Sequence, residues 1–319
     1  MTPRNFAARI TLAAKRPLFQ VERPLMPPEP RGILESWSFP VSVTVCLALV
    51  ALVYLRGWFR LRNAPAGSIP GWCPVAFIGG LLCVWLAVGS PLVALDDELL
   101  SIHMVQHLLL MAVAAPLVLL GVPNLPFLHG LPQSFVRGGL GPILRWRAAR
   151  KLGHTITHPV LCWVAGTAAV IVWHVPAAFE LALRSDSLHK AEHATFLAAG
   201  ILFWWPVVQP WPSVARWHRW AIPLYLFFAT LPCDALSAFL TFCGRVVYPS
   251  YLHTPRLFAV SPLADQECAG ALMWVLVTII YLVPAVVITI QMLGPETSRA
   301  QEVAAQAIAR IQTPLSNSN

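Results

Sequence analysis

The stretch LLSIHMVQHLLLMAVAAPLVLLGV, Leu99–Val122, decides the fold class. It contains no Asp, Glu, Lys or Arg and exceeds the roughly 20 residues that a helix needs to cross a bilayer core. Six further stretches read the same way: Phe39–Leu55, Trp72–Leu95, Pro159–Phe179, Ala191–Val208, Ala221–Phe242 and Ala269–Leu293. Across these spans the only acidic or basic side chains are Glu192 and Asp234. The 319 residues are 57% hydrophobic and only 11% charged, whereas soluble domains carry near 25% charged residues. Water could not solvate such segments, which excludes a soluble enzyme. The expectation is an all-α fold, a polytopic membrane helix bundle of about seven transmembrane helices.

The net charge of +8 does not point to a nucleic acid, because the Lys and Arg lie in loops and tails. Arg56, Arg60, Arg62, Arg137, Arg145, Arg147, Arg150, Lys151, Arg216, Arg219, Arg299 and Arg310 follow spans one, three, five and seven. The loops after spans two, four and six hold only Arg184, Lys190, Arg245 and Arg256. Cytoplasmic loops carry the excess of Lys and Arg, so the C-terminus is expected in the cytoplasm and the N-terminus outside. The basic N-terminal tail runs against this, but only Arg23 and Arg31 lie near the first span, and long tails weigh less.

Three regions follow. Residues 1–38, rich in Pro and Arg, form a tail expected to be poorly ordered; residues 39–293 form the seven-span membrane domain; residues 294–319 form a cytoplasmic tail, with a short surface helix at Ser298–Ile311. Phe135–Leu152 mixes apolar and basic residues. It reads either as a helix on the inner membrane surface or as an irregular loop containing Gly138, Gly139 and Gly141. Trp204, Trp205, Trp211, Trp217 and Trp220 read as an aromatic belt. The seven cysteines include no CxxC pair and are expected to act as small buried hydrophobes.

Ten histidines include three i, i+4 pairs: His103/His107, His154/His158 and His189/His193. Chance placement would give roughly 0.3 such pairs, so the spacing calls for a cause. Residues four apart share one helix face, and two imidazoles so placed can close on one metal ion. Pro159 disfavours helical geometry at His158, which separates the second pair. The predicted topology puts His103, His107, His174, His189 and His193 at one level near the outer face, with Asp265 and Gln266 beside them. Taken singly, each histidine also fits an interfacial residue bonded to loop backbone or to a carboxylate such as Glu192. Asp234 lies mid-span, where an isolated carboxylate is costly; it is expected to be protonated, paired or facing a polar cavity. Met104, Met111 and Met273 offer thioethers, although methionine commonly fills gaps between helices.

Gly89–Ser90–Pro91, His103–Met104–Val105–Gln106–His107, Trp173–His174–Val175–Pro176, His189–Lys190–Ala191–Glu192–His193, Phe203–Trp204–Trp205–Pro206, Asp234–Ala235–Leu236–Ser237, Tyr248–Pro249 and Asp265–Gln266 stand in order along the chain. Over roughly residues 70–292 these motifs resemble the polytopic CtaG family of bacterial cytochrome c oxidase assembly factors. The resemblance implies a multi-pass protein of the bacterial plasma (inner) membrane, needed to make an active haem–copper oxidase and connected with copper handling. Its partners would be cytochrome c oxidase subunits, a copper chaperone and the lipid bilayer.

On this reading the protein is not an enzyme but an assembly factor that binds copper on the outer face. His103, His107, His189 and His193 would be ligands, with His174 a further candidate, and Glu192 or Asp265 would orient imidazoles by hydrogen bonding. Asp234 and Gln266 complete the polar set. Two other classes stay open: a membrane redox protein whose histidines ligate haem, and a metal or proton permease using Asp234.

Overall fold

The computed structural model describes residues 39–62, 69–210, 217–254 and 260–294. The expectations for residues 1–38, for Trp211 and for the tail beyond residue 294 lie outside them. Among the described residues the secondary structure is helical, without strands. In chain order the helices are α1 (Val41–Leu61), α2 (Cys73–Gly89), α3 (Leu100–Leu120), α4 (Asn124–Gly130), α5 (Arg147–Ile156), α6 (Pro159–His174), α7 (Pro176–Leu183), α8 (Asp186–Val208), α9 (Ala221–Phe242) and α10 (Pro262–Leu293). Among the described residues six spans are each long and apolar enough to cross a membrane: α1, α2 with its following turn, α3, α8, α9 and α10. The pair α5 and α6, bent by 61° at its junction, makes a seventh if counted as one span. Leu49, Val75, Val164, Phe228, Val283 and Ile290 all point outward, as a lipid-facing surface requires.

Local chemistry sets the helix ends nearest the histidines. Ser185 caps α8, its hydroxyl accepting from the Leu188 amide at 3.4 Å, with Asp186 in the first turn; both complement the positive end of a helix. Ser261 does the same for α10, accepting from Ala264 at 3.1 Å, ahead of Pro262 at the first helical position. α3 has no cap of its own at Leu99. Asp265 of α10 supplies it instead, accepting from the Leu100 and Ser101 amides at 2.7 and 3.2 Å and from the Ser101 hydroxyl at 2.6 Å.

The predicted fourth span, Pro159–Phe179, is interrupted. Val175 precedes Pro176 and is held extended at φ −63, ψ 124, so α6 ends at His174 and a separate α7 follows. His158 is the cap of α6 rather than a continuation of α5, so His154 and His158 sit on different helices. The basic segment is helical rather than irregular: short helical turns run from 133 to 145, and α5 follows. Trp204 departs from the predicted belt; it is buried and donates through Nε1 to the Met111 carbonyl at 3.2 Å.

α3 widens into a π-helical turn over Leu109–Ala114. Pro116, just beyond, has no N–H to give the Ala112 carbonyl, so the regular ladder could not continue there. α8 packs directly on this turn at Gly200, where a Cβ would lie 2.8 Å from the Met111 carbonyl oxygen and 2.9 Å from its Cα. Only glycine permits that approach. The crossing brings the first turns of α3 and α8 alongside each other, and with them both histidine pairs.

Candidate metal centre

On α3 the His103 and His107 rings lie 4.4 Å apart; on α8 the His189 and His193 rings lie 4.5 Å apart. The two helices set the pairs opposite one another, with 5.2 Å between His103 and His189 and 5.5 Å between His107 and His193. Glu192 projects between them. Its Oε1 is 3.5 Å from His107 Nε2 and 3.8 Å from His103 Nε2. From the loop between α2 and α3, Asp96 brings Oδ2 to 3.8 Å from His189 Nε2.

Two donor groups result, Asp96–His103–His189 and His103–His107–Glu192, each with its ligand atoms within 4.8 Å of one another. His103 belongs to both. His103 and Glu192 are wholly buried, and the His189 side chain, 18% accessible, is the member that reaches the surface.

Both ring nitrogens of His103 and His107, both oxygens of Glu192, Nε2 of His189 and His193, and Oδ2 of Asp96 are buried without a hydrogen-bond partner. Such atoms are rare, because leaving them unpaired costs about 1–3 kcal/mol each. Carboxylate–imidazolium pairs do not account for the arrangement: charge-assisted bonds close to about 2.7–2.9 Å, and these contacts stand at 3.5–3.8 Å. Among the described residues neither carboxylate has a Lys or Arg within the 4.0 Å of an ion pair. Neutral imidazole with carboxylate is a donor set that suits a first-row transition metal, so the residues fit an ion.

Burial and the neighbouring Asp97 push the Asp96 carboxyl up to about 7, against the effect of the Gln106 side chain beside it. Asp96 and the fully buried Gln106 are the members that sequence reasoning passed over. The signal was present: Asp96 opens an acidic run, Asp96–Asp97–Glu98, directly ahead of α3, and Gln106 sits inside the His103–His107 motif.

The other predicted residues are distributed differently. His174, at the end of α6, is 6.2 Å from His107 ring to ring but turns its Nε2 to the Met104 sulfur at 3.2 Å. Asp265 caps α3. Gln266 secures the loop before α10, accepting from the Val247 amide at 2.7 Å and donating to the Leu240 and Arg245 carbonyls at 3.1 and 3.0 Å. Asp234 is half-buried between α9 and α10, where Thr278 donates to it at 3.5 Å. With that contact as its partner, Asp234→Asn should leave bound metal within about twofold of wild type, since Asn keeps the volume and an acceptor oxygen. Metal content of the purified variant checks this, and a loss of tenfold would tie Asp234 to the centre.

A roof closes over the cluster. The Tyr251 hydroxyl donates to the Asp96 carbonyl at 2.9 Å and the Tyr248 hydroxyl to the His174 carbonyl at 3.1 Å. Ser250 is held by Glu180 of α7 through both its amide and its hydroxyl. Phe179 of α7 packs at 4.1 Å on Tyr248 and at 4.9 Å on His103.

Residues 52–294, which include every member of this cluster, match the family of cytochrome c oxidase caa3 assembly factors. The chain belongs to that family. The chain is also similar to two uncharacterized proteins, of Mycobacterium bovis and Mycobacterium tuberculosis, each 25% identical over 255 residues, 78% of this chain and 38% of theirs. A third, of Mycobacterium leprae, is 23% identical over 258 residues, 77% of this chain and 38% of its own. The chain thus spans well under half the length of these curated relatives. No solved structure matches it.

Proposed function

We propose that this caa3 assembly-factor homologue is a non-enzymatic copper-binding protein of a bacterial plasma membrane, serving metallation or maturation of a haem–copper cytochrome c oxidase. Copper is cargo in this reading. His103, His107, His189 and His193 hold it, with Glu192 and Asp96 as the negative partners. The partners are oxidase subunits, with a copper chaperone as donor. The observation that carries the reading is the concentration of unpaired imidazole and carboxylate atoms around His103, in a family described by oxidase assembly.

Haem fits less well. The imidazoles stand 4.4–5.5 Å ring to ring, and the cavity beside His107 and His174 measures about 30 Å³. That volume takes a water or an ion and no macrocycle. A permease reading gains no support from Asp234, which accepts a hydrogen bond from Thr278 between two helices.

The positive-inside pattern supports an outer position for the cluster, and in this reading the oxidase subunit meets it there. Copper bound per chain after equilibration and desalting, compared between wild type and a His189→Ala, His193→Ala double variant, tests the reading. Near-stoichiometric copper is expected in the first and a loss of most of it in the second; equal content in both overturns it. A reporter inserted between Asp96 and Glu98 should read outside, and a cytoplasmic result would remove the meeting with an external partner.

A further inference from the structure

His174 was grouped with the other histidines by sequence, but its surroundings differ in kind. Its Nδ1 lies 2.7 Å from the Val170 carbonyl. A carbonyl only accepts, so Nδ1 carries the proton, and in the neutral ring Nε2 is then a bare lone pair. That lone pair is aimed at Met104 Sδ, 3.2 Å away, and a thioether has no proton to offer. Two electron-pair donors therefore face each other at close range, inside the bundle, with His174 at 6% and Met104 at 0% exposure. With metal–nitrogen and metal–sulfur bonds of about 2.0 and 2.3 Å, that spacing subtends an angle of about 96° at a shared ion, within reach of distorted tetrahedral coordination.

The pair opens on the 30 Å³ cavity, which His107, Met111, Met273 and Cys233 also line. An adjoining cavity of about 20 Å³ is again lined by Met111 and Cys233. Three thioethers, one thiol and two imidazoles thus surround a space large enough for one ion, and no carboxylate borders either cavity. The cluster above it offers the contrary balance, with carboxylates and imidazoles and no sulfur in either donor group. Thioether and thiol donors select Cu(I); carboxylate and imidazole sets also hold divalent ions.

We propose that His174 and Met104 form a second, soft-metal site for Cu(I), distinct from the carboxylate–histidine cluster and completed from Met273, Met111 or Cys233. His107 belongs to both environments and joins them. The proposal rests on the copper reading above for its choice of cargo, but the two are tested at different residues, Met104 and Met273 here and His189 with His193 there. The site holds an ion already in the monovalent state, so no electron transfer is involved.

The test uses the full-length chain purified in detergent, titrated with Cu(I) under a reductant and a chromogenic Cu(I) chelator, and separately with Co(II) as a probe of the carboxylate cluster. Met104→Leu conserves volume, and its thermal unfolding midpoint controls for folding. Met104→Leu should weaken Cu(I) by about tenfold or more, the scale of disrupted ligand environments, and leave Co(II) affinity unchanged. X-ray absorption of the Cu(I) form should show sulfur scattering in wild type that falls in Met104→Leu and falls further with Met273→Leu added. Unchanged Cu(I) affinity, or Cu(I) surrounded by nitrogen and oxygen alone, overturns the soft site while leaving the upper cluster intact. Equal loss of Cu(I) and Co(II) in Met104→Leu also overturns it, because the two sites would then be one.

Discussion

His103→Ala should lower copper affinity by about 100-fold or more, further than any other single substitution in the cluster. Changes to residues that merely orient metal ligands cost about 10- to 100-fold, and His103 is a direct donor in both groups, beside Asp96 and His189 on one side and beside His107 and Glu192 on the other. His193 is a proposed ligand that lies outside both groups, so His193→Ala should cost less. His103 is wholly buried against Phe179, so its removal also leaves a cavity and some loss of stability. His103→Gln, which fills more of that volume, separates the two effects. Competition against a chelator of known affinity, with unfolding midpoints for each variant, makes the measurement. A His103 variant that binds like wild type would mean that the shared position has no special standing.

The second large effect is on stability. Asp265→Ala should destabilise the protein by about 4.5 kcal/mol or more, because hydrogen bonds to a charged group contribute about 1.5–3 kcal/mol each and the carboxylate accepts three. The loss strands the amides of Leu100 and Ser101 at the start of the helix that carries His103. Asp265→Asn keeps an acceptor and should recover much of the difference. The sequence reading places Asp265 among residues that orient the metal; the cap predicts instead that Asp265→Asn keeps copper affinity close to wild type while its unfolding midpoint falls. Thermal unfolding in detergent and a copper titration on the same samples distinguish the two roles.

Much of this molecule was open to reading in one dimension. Apolar runs mark the spans, because a bilayer imposes its length on every helix that crosses it. The i, i+4 rule gave the pairs His103/His107 and His189/His193, since helix geometry ties that spacing to one face. Proline chemistry separated His154 from His158 before any coordinates did. The same chemistry at Val175–Pro176 was overlooked, and the fourth span was drawn through the break.

What sequence could not supply is which polar groups meet across helices. Asp265 and Asp96 each lie at the start of the spans and are equivalent by position. One turns its oxygens to the Leu100 and Ser101 amides, the other toward His189. Likewise His174 shares a level with four other histidines, yet its bond to Val170 sends its free nitrogen to a sulfur. These distinctions depend on side-chain direction after packing, which no spacing rule contains.

The roof of Tyr248, Tyr251 and Phe179 separates how tightly an ion is held from how fast it leaves. On the copper reading proposed above, an ion beneath those rings would exchange with solvent through the edge beside His189 and faster where the loop from 243 to 254 lifts. Glu180 and Ser250 latch that loop to α7, so on the copper reading Glu180 is expected to set a rate rather than an affinity. Glu180→Ala should speed the release of metal to a chelator in stopped-flow mixing while the equilibrium titration stays put. A partner protein that engaged the same loop would act as the trigger for unloading, so the ion would be surrendered on contact and retained in transit.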